Sequence, residues 1–180
     1  MMQEFTFLAD ALWLDFVNTA RGRVAVPPDL LPDDPAVLRW AAIQSLELNG
    51  GPPLLGAVIR FRERLTALAE ALHAGLQPPA ASISAINEHL APGGGCHQLT
   101  RVSGEWRLRF AAERCPGVLE AIAQSAAASL ADSLRFVRQC AGQSCSFFFS
   151  DDSPNQSRRW CKAELCGRET KIERRRGLLR

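Results

Sequence analysis

The chain has 180 residues, of which 47% are apolar and 22% are charged, and its formal net charge is +2. This is ordinary globular composition, so intrinsic disorder is excluded as the starting hypothesis. The N-terminal stretch contains Asp10 and Asp15 and lacks the basic region and long apolar run of a secretory signal. No segment has the roughly 20 consecutive apolar residues that cross a bilayer. We therefore expect a cytoplasmic protein.

The small net charge hides an uneven distribution along the chain. Residues 135–180 contain 11 Lys and Arg against 5 Asp and Glu, whereas residues 1–134 contain 10 against 14. A basic segment of this kind indicates a polyanionic partner, with a solvated charged helix as the alternative.

Helical periodicity dominates the first half of the chain. Apolar residues at helical spacing predict a first helix over residues 11–20. Asp34 precedes a proline suited to the first helical position and predicts the start of a second helix that continues to residue 48. A third helix is predicted over residues 54–72, ending near a glycine, and a short fourth over residues 83–90.

A β-hairpin and a long helix are predicted next. Apolar and polar side chains alternate within residues 98–110, on either side of the turn dipeptide Ser103-Gly104, and predict the hairpin. Residues 117–139 have the apolar spacing of a helix, which leads directly to Cys140. The sequence thus predicts a mainly α (α+β) fold, with a helical domain over residues 1–135 and a small cysteine-containing module over residues 136–180. Since no flexible linker separates the two, we expect them to dock against each other.

The last four cysteines are the main chemical motif. They form two pairs, Cys140-x4-Cys145 and Cys161-x4-Cys166, separated by fifteen residues. Two closely spaced pairs joined by a loop suit a tetrahedral four-thiolate zinc site with no open position for water or substrate. Buried thiols or disulfides are the alternatives, although disulfides are disfavoured in a reducing compartment. The sequence therefore predicts one structural Zn²⁺ per chain and argues against metal-assisted hydrolysis. We expect a protein that is not an enzyme.

Residues around the cysteines support a small folded module. The stretch 146–149 is a candidate strand, and Trp160 would shield the metal from water. Since so small a module has few apolar residues, zinc should supply its folding free energy. A basic C-terminal helix is compatible with residues 167–176. The residues expected to contact the phosphates of DNA are Arg158, Arg159, Arg168, Lys171 and Arg175.

Two parts of the sequence resemble known families. The cysteine pairs, with Phe149, Asp151, Ser153 and the Ser-Arg-Arg-Trp-Cys stretch at 157–161, resemble the CGNR-type zinc finger, although this chain has Cys-Gly-Arg-Glu at 166–169. The Leu-Asp-Phe-Val-Asn-Thr stretch at 14–19, with later matching residues, resembles the ABATE domain of bacterial stress-induced transcription regulators. The resemblance implies a zinc-dependent DNA-binding finger attached to a helical regulatory domain.

The opening helix offers a candidate ligand site. Asp15 and Asn18 lie three residues apart on or near its polar side, and Arg21 follows. These residues could line a pocket for a small-molecule or protein effector. The alternative, which is the more frequent role of such residues, is that they bridge neighbouring loops.

Two functional hypotheses follow, and a third, an enzyme that acts through a pocket in the N-terminal domain, has little support in the sequence. The first is a DNA-binding transcription regulator whose N-terminal domain senses a signal or partner. The second is a zinc-stabilised protein-interaction module that does not bind DNA directly. A loss of DNA binding without a loss of partner binding, after replacement of the basic residues, would favour the first.

Overall fold

The computed structural model describes residues 5–22, 28–48, 51–92, 94–102, 105–112, 115–132 and 136–175. Their elements in chain order are α1 Leu12–Asn18, α2 Asp34–Ile43, α3 Leu55–His73, α4 Ala80–Leu90, β1 Gly95–Val102, β2 Glu105–Ala112, α5 Val118–Ala131, β3 Phe136–Gln139, β4 Phe148–Asp151, a π-helical turn Ala163–Gly167 and α6 Arg168–Arg175. The mainly α fold class with small β-hairpins is confirmed.

Helix α1 lies at the centre of the molecule. It packs against α3, α5 and β4, and its residues from Trp13 to Asn18 are all buried. The indole Nε1 of Trp13 donates to Ser129 Oγ of α5 at 3.0 Å. A helix covered on every side must bury its polar residues as well as its apolar ones, and this determines the roles of Asp15 and Asn18.

The second helix differs from its prediction at both ends. Asp33, rather than Asp34, is the N-cap, and its carboxylate accepts a hydrogen bond from Ala36 N at 2.8 Å. The helix ends at Ile43 instead of continuing to residue 48, because Ser45 adopts φ 56° and Leu46 N bonds back to the carbonyl of Ala41 at 2.9 Å. This left-handed residue closes the helix as a C-terminal cap does.

Helices α3 and α4 form an antiparallel pair. Gly75, at φ 70°, ends α3, and Leu76 N donates to Ala71 O at 2.8 Å, as the glycine predicted. Helix α4 begins three residues before the predicted start, and Ser82 Oγ donates to the carbonyl of Arg64 on α3 at 2.8 Å.

A buried arginine of α3 connects three segments. The Arg62 guanidinium donates to both carboxylate oxygens of Asp29, at 2.8 and 2.5 Å, and to Thr19 Oγ1 at 2.9 Å. Burial opposes ionisation of Asp29, but the Arg62 and Leu31 hydrogen bonds and the Arg62 charge give a net lowering of its pKa. The pair therefore fixes the chain after α1 against α3.

The predicted hairpin is present as β1 and β2, which pair antiparallel from Gly95↔Ala112 to Val102↔Glu105. Its predicted turn, residues 103 and 104, lies outside the described residues.

The predicted long helix is confirmed as far as Ala131 and is wrong at its C-terminal end. Helix α5 ends at Ala131, and residues 136–139 form strand β3, which pairs antiparallel with β4 from Phe136↔Asp151 to Gln139↔Phe148. Val137 packs on the main core. The β-branched and aromatic residues favour a strand once β4 offers a partner, and this tertiary pairing overrides the local helical pattern.

Within the residues that the structure describes, no helix is both long enough and apolar enough to span a membrane.

Candidate metal centre

The first cysteine pair is held by the β3–β4 hairpin. Cys140 follows β3 directly, and its backbone N–H donates to Phe147 O at 2.9 Å, which extends the ladder by one residue. The chain then turns at Gly142, whose carbonyl accepts from Cys145 N at 3.0 Å. A Cβ on Gly142 would lie 3.2 Å from the Cβ atoms of Cys145 and Cys166, so glycine permits the two cysteine pairs to approach closely.

The second pair is held by the start of the C-terminal helical segment. Cys161 precedes the π-helical turn Ala163–Gly167, and Cys166 N donates to Lys162 O at 3.0 Å. The Trp160 ring lies over Gly167, where a Cβ would be 3.3 Å from the ring. Trp160 thus packs against the cysteine module.

The four sulfur atoms form one compact group. All lie within 4.8 Å of one another, with Cys145 Sγ to Cys161 Sγ at 3.8 Å and Cys161 Sγ to Cys166 Sγ at 3.7 Å. A tetrahedron with Zn–S distances of about 2.3 Å has S···S edges of about 3.8 Å, so these spacings fit zinc. They far exceed the roughly 2.05 Å of a disulfide bond.

The surroundings favour a divalent cation at this group. Cys140, Cys161 and Cys166 are buried and Cys145 is partly buried. Hydrogen bonds from Cys145 and Cys161 lower the pKa of Cys140, so one thiolate is favoured. Hydrogen bonding with Cys140 raises the pKa of Cys145 and Cys161, and burial raises that of Cys166. Ionisation of all four sulfurs therefore requires a cation among them, and metal binding should release protons.

The apolar support of this module is small. The buried cluster around the cysteines contains Phe147 and Phe149, with Leu8 and Trp160 partly buried against it. So few apolar side chains do not fold a segment of this size alone. The donor set and the spacing show one structural zinc, with all four coordination positions taken by protein sulfur.

Asp151 orders the loop between the cysteine pairs. Its fully buried carboxylate accepts hydrogen bonds from Arg138 Nε at 2.8 Å, from Ser153 N at 3.1 Å and from Arg158 N at 3.1 Å. Burial opposes its charge, but the Ser153, Arg138 and Arg158 hydrogen bonds together lower the pKa of Asp151.

Arg158 does not belong to a free phosphate-binding surface. Its Nε donates to Trp160 O, and its two terminal nitrogens contact the carboxylate of Asp10 and backbone oxygens that include Leu8 O and Ser150 O. The guanidinium carbon also lies 4.6 Å from the centre of the Phe149 ring. Every nitrogen of the group donates within the chain, so Arg158 fastens the N-terminal segment to the cysteine module, and its contact with DNA phosphates stays a prediction.

The other predicted cations are placed differently. Arg159, Arg168 and Lys171 are exposed, and the side chain of Arg175 lies outside the described residues. Arg159 stacks on Trp160, with its guanidinium carbon 5.4 Å from the ring centre. Sequence reasoning missed Lys162, which is also exposed and directly follows Cys161. Its position beside a predicted zinc ligand was the signal that could have identified it.

The three candidate ligand residues of the opening helix serve as bridges. Asn18 Nδ2 donates to Phe148 O at 2.8 Å, and Asn18 Oδ1 accepts from Phe148 N at 2.9 Å. Arg21 pairs with Glu70 at 2.6 Å, and its guanidinium carbon lies 4.4 Å from the centre of the Phe148 ring. Asp15 Oδ1 accepts from the backbone N–H groups of Leu8 and Ala9, at 3.1 and 3.2 Å. The structure therefore favours the bridging alternative over the ligand pocket.

These bridges join the two parts of the chain into one unit. Phe148 of β4 belongs to the core of the helical part, Ser150 N donates to Ala9 O at 2.8 Å, and Ser146 N donates to Gly22 O at 2.9 Å. From the other side, His73 Nδ1 of α3 accepts from Gln139 N at 3.2 Å. The expected docking of the two parts is thus seen in specific backbone contacts.

Comparison with protein families agrees with this architecture. The ABATE model, described as "Putative stress-induced transcription regulator", matches residues 10–133. The model of the CGNR zinc finger matches residues 137–177, which include all four clustered cysteines. Among curated proteins, none matches the chain. The chain belongs to the ABATE family, and its four clustered cysteines form the zinc site of a CGNR zinc finger.

Proposed function

We propose that this protein is a transcription regulator that binds duplex DNA through its zinc finger, while its helical domain senses a signal or a partner. The observation that carries the proposal is the position of four exposed cations, Arg159, Lys162, Arg168 and Lys171, in the segments that contain and follow the second cysteine pair. None of them forms an ion pair with the part of the chain that the structure describes. Such cations are available to phosphate groups.

The zinc cluster supports this role by fixing the backbone that carries these cations. Arg159 O accepts from Ala141 N at 2.8 Å, and Lys162 O accepts from Cys166 N at 3.0 Å. Both carbonyls thus bond within the finger, beside its cysteine ligands. A fixed arrangement of cations loses less conformational entropy on binding than a disordered basic tail does.

The proposal keeps the division predicted from the sequence, with the sensing domain over residues 1–135 and the finger over residues 136–180. The two family matches support this division, although the shared core around Phe148 argues that the parts are stable together rather than separately.

A salt titration of DNA binding tests the proposal. The zinc-loaded full chain is titrated with a fluorescent duplex of mixed sequence, and anisotropy is measured over a range of salt concentrations. We expect log K to fall linearly with log salt, by about 0.9 for each phosphate neutralised. The variant Arg168→Gln/Lys171→Gln should bind more weakly and show a shallower salt dependence.

The matched control is Arg60→Gln/Arg64→Gln, which removes the same charge from exposed positions on α3. It should leave DNA affinity nearly unchanged. Binding that is insensitive to salt, or equally weakened by both variants, would overturn the proposal.

A protein-interaction role is the second candidate, and one observation favours it. Leu165 and Ile172 of the same segment are each 38% exposed and apolar. If Arg168→Gln/Lys171→Gln leaves DNA affinity unchanged but weakens self-association or partner binding, the protein-interaction role replaces the DNA-binding role.

A further inference from the structure

Helices α3 and α4 enclose a groove at a distance from the zinc cluster. Small side chains from both helices, Ala57, Ala81 and Ala85, leave the space between them unfilled, and Phe61 contributes to the lining. The groove encloses about 520 Å³, which is within the range of small-ligand sites. Its lining surface is more polar than apolar, so a ligand with a charged group and a small apolar part suits it better than a purely apolar one.

Two arginines border the same groove. Arg60 and Arg64 are exposed and lie one helical turn apart on α3, so they face the same side. Neither side chain forms an ion pair or a hydrogen bond with the described ranges of the chain. Like charges at this spacing repel each other, and an anion between them would relieve the repulsion. A guanidinium offers a fork of donors that matches a carboxylate.

His89 and Ser84 supply neutral polar groups to the groove. The His89 ring lies 4.2 Å from the Phe61 ring, centre to centre. Burial lowers the pKa of His89, with partial opposition from the charge of Glu88, so the ring is neutral at neutral pH. Neutral imidazole and hydroxyl groups can each donate one hydrogen bond without adding charge.

Glu88 also lines the groove and is the one acidic side chain among the lining residues. With two arginines, one glutamate and a neutral histidine, the groove has a charge of +1. Residues 1–134 as a whole have 14 acidic against 10 basic residues, so the net charge of the groove is opposite in sign to that of its domain. The charge balance suits a monoanion better than a multiply charged phosphate ester.

We propose that the α3–α4 groove binds a small organic acid, with its carboxylate between Arg60 and Arg64 and its apolar body against the alanine and phenylalanine lining. The site is separate from the residues first considered for a ligand on α1. It does not depend on whether the finger binds DNA. It is located near one end of α3, whereas His73 at the other end contacts β3 of the finger.

Benzoate serves as the probe for this site. The zinc-loaded ¹⁵N-labelled protein is titrated with benzoate, with neutral benzyl alcohol and with inorganic phosphate, and backbone chemical shifts are followed. We expect saturable shifts at residues 84–89 with benzoate. Affinity should fall about tenfold or more in Arg60→Gln/Arg64→Gln, because charge-assisted hydrogen bonds are lost.

Two further variants separate binding from folding. Ala81→Leu fills the groove while it retains both arginines, and it should also abolish the shifts. Arg168→Gln/Lys171→Gln, whose changes lie in the finger, should bind benzoate like the wild type. The proposal is overturned if benzoate shows no saturable binding, if benzyl alcohol or phosphate binds equally well, or if the arginine variant retains wild-type affinity.

Discussion

The helical part and the zinc finger of this protein are stabilised by different interactions. The helical part buries large apolar side chains almost completely, among them Trp13, Phe16, Trp40 and Leu65, each at most 1% exposed. The finger buries three cysteines and two phenylalanines of its own. The first core is stabilised by apolar burial, at roughly 1.5–3 kcal/mol for each large side chain, whereas the second requires the metal.

The difference shows why the two parts share an interface. Phe148 of the finger completes the core of the helical part, and Leu8 from the N-terminal segment packs on the cysteine cluster. Each part therefore contributes an apolar residue that the other buries. We expect perturbation of either part to be felt in both, but with unequal size.

Removal of a zinc ligand should produce the largest effect. Cys161→Ser should reduce bound zinc from one per chain to near zero and unfold the finger, because structural zinc contributes on the order of 10 kcal/mol to such modules. Metal analysis and amide hydrogen exchange check this, with protection expected to vanish in β4 and to persist in α3. Cys115→Ser is the control, since Cys115 is exposed and outside the cluster. Retention of zinc by Cys161→Ser would contradict the four-cysteine site.

Loss of the Asn18 bridge should have an intermediate effect. Asn18→Ala leaves the buried N–H and C=O of Phe148 without their side-chain partner, and each unpaired buried group costs about 1–3 kcal/mol. Denaturant unfolding of the zinc-loaded protein should therefore show a loss of about 4 kcal/mol. Asn87→Ala, at an exposed site on α4, should change stability by no more than about 0.5 kcal/mol. Equal effects of the two changes would argue against a shared core.

The charge of Asp15 should have the smallest effect and a distinct pH dependence. Burial raises the pKa of Asp15 from its ordinary value of 3.8 to about 6. The hydrogen bonds from Ala9 and Leu8 oppose this increase, and the charge of Asp10 adds to it. A folded-state pKa above the unfolded one means that the ionised group destabilises the fold. This destabilisation is fully present above about pH 6, decreases as the pH falls through that value and is absent below pH 3.8.

Asp15→Asn keeps the Oδ1 acceptor that both backbone amides use and removes the charge. It should therefore be more stable than the wild type at alkaline pH, by up to about 3 kcal/mol, and the difference should disappear in acid. Unfolding free energies of both proteins across pH give the measurement. A constant difference at all pH values would show that Asp15 does not titrate in this way.

Much of the finger could be predicted from the sequence because its determinants are local. The spacing of two cysteine pairs fixes which sulfurs can meet, and zinc imposes its own geometry on them. Gly75 and the turn-flanked alternation of the hairpin likewise encode local conformations, and both predictions are confirmed. The end of α2 was missed because Ser45, not a glycine, takes the left-handed conformation.

The roles of individual polar residues were harder to predict. Arg158 looked like a phosphate contact because its neighbours are basic, yet Asp10, from a segment 148 residues earlier in the chain, pairs with it. Residues 136–139 looked helical because they continue the pattern of α5, yet they form a strand that pairs with β4. In both cases the deciding partner is distant in sequence.

The sequence by itself determined the zinc ligands, the helical class and the basic charge of the C-terminal end, because each depends on residue type and short-range spacing. Only the tertiary structure decided that Asn18 and Arg21 join the two parts, that Asp15 accepts hydrogen bonds from the N-terminal segment, that every guanidinium nitrogen of Arg158 donates within the chain, and that Arg60 and Arg64 border an open groove. Tertiary packing brings these groups together, and a buried polar group must find its hydrogen bonds wherever the fold supplies them.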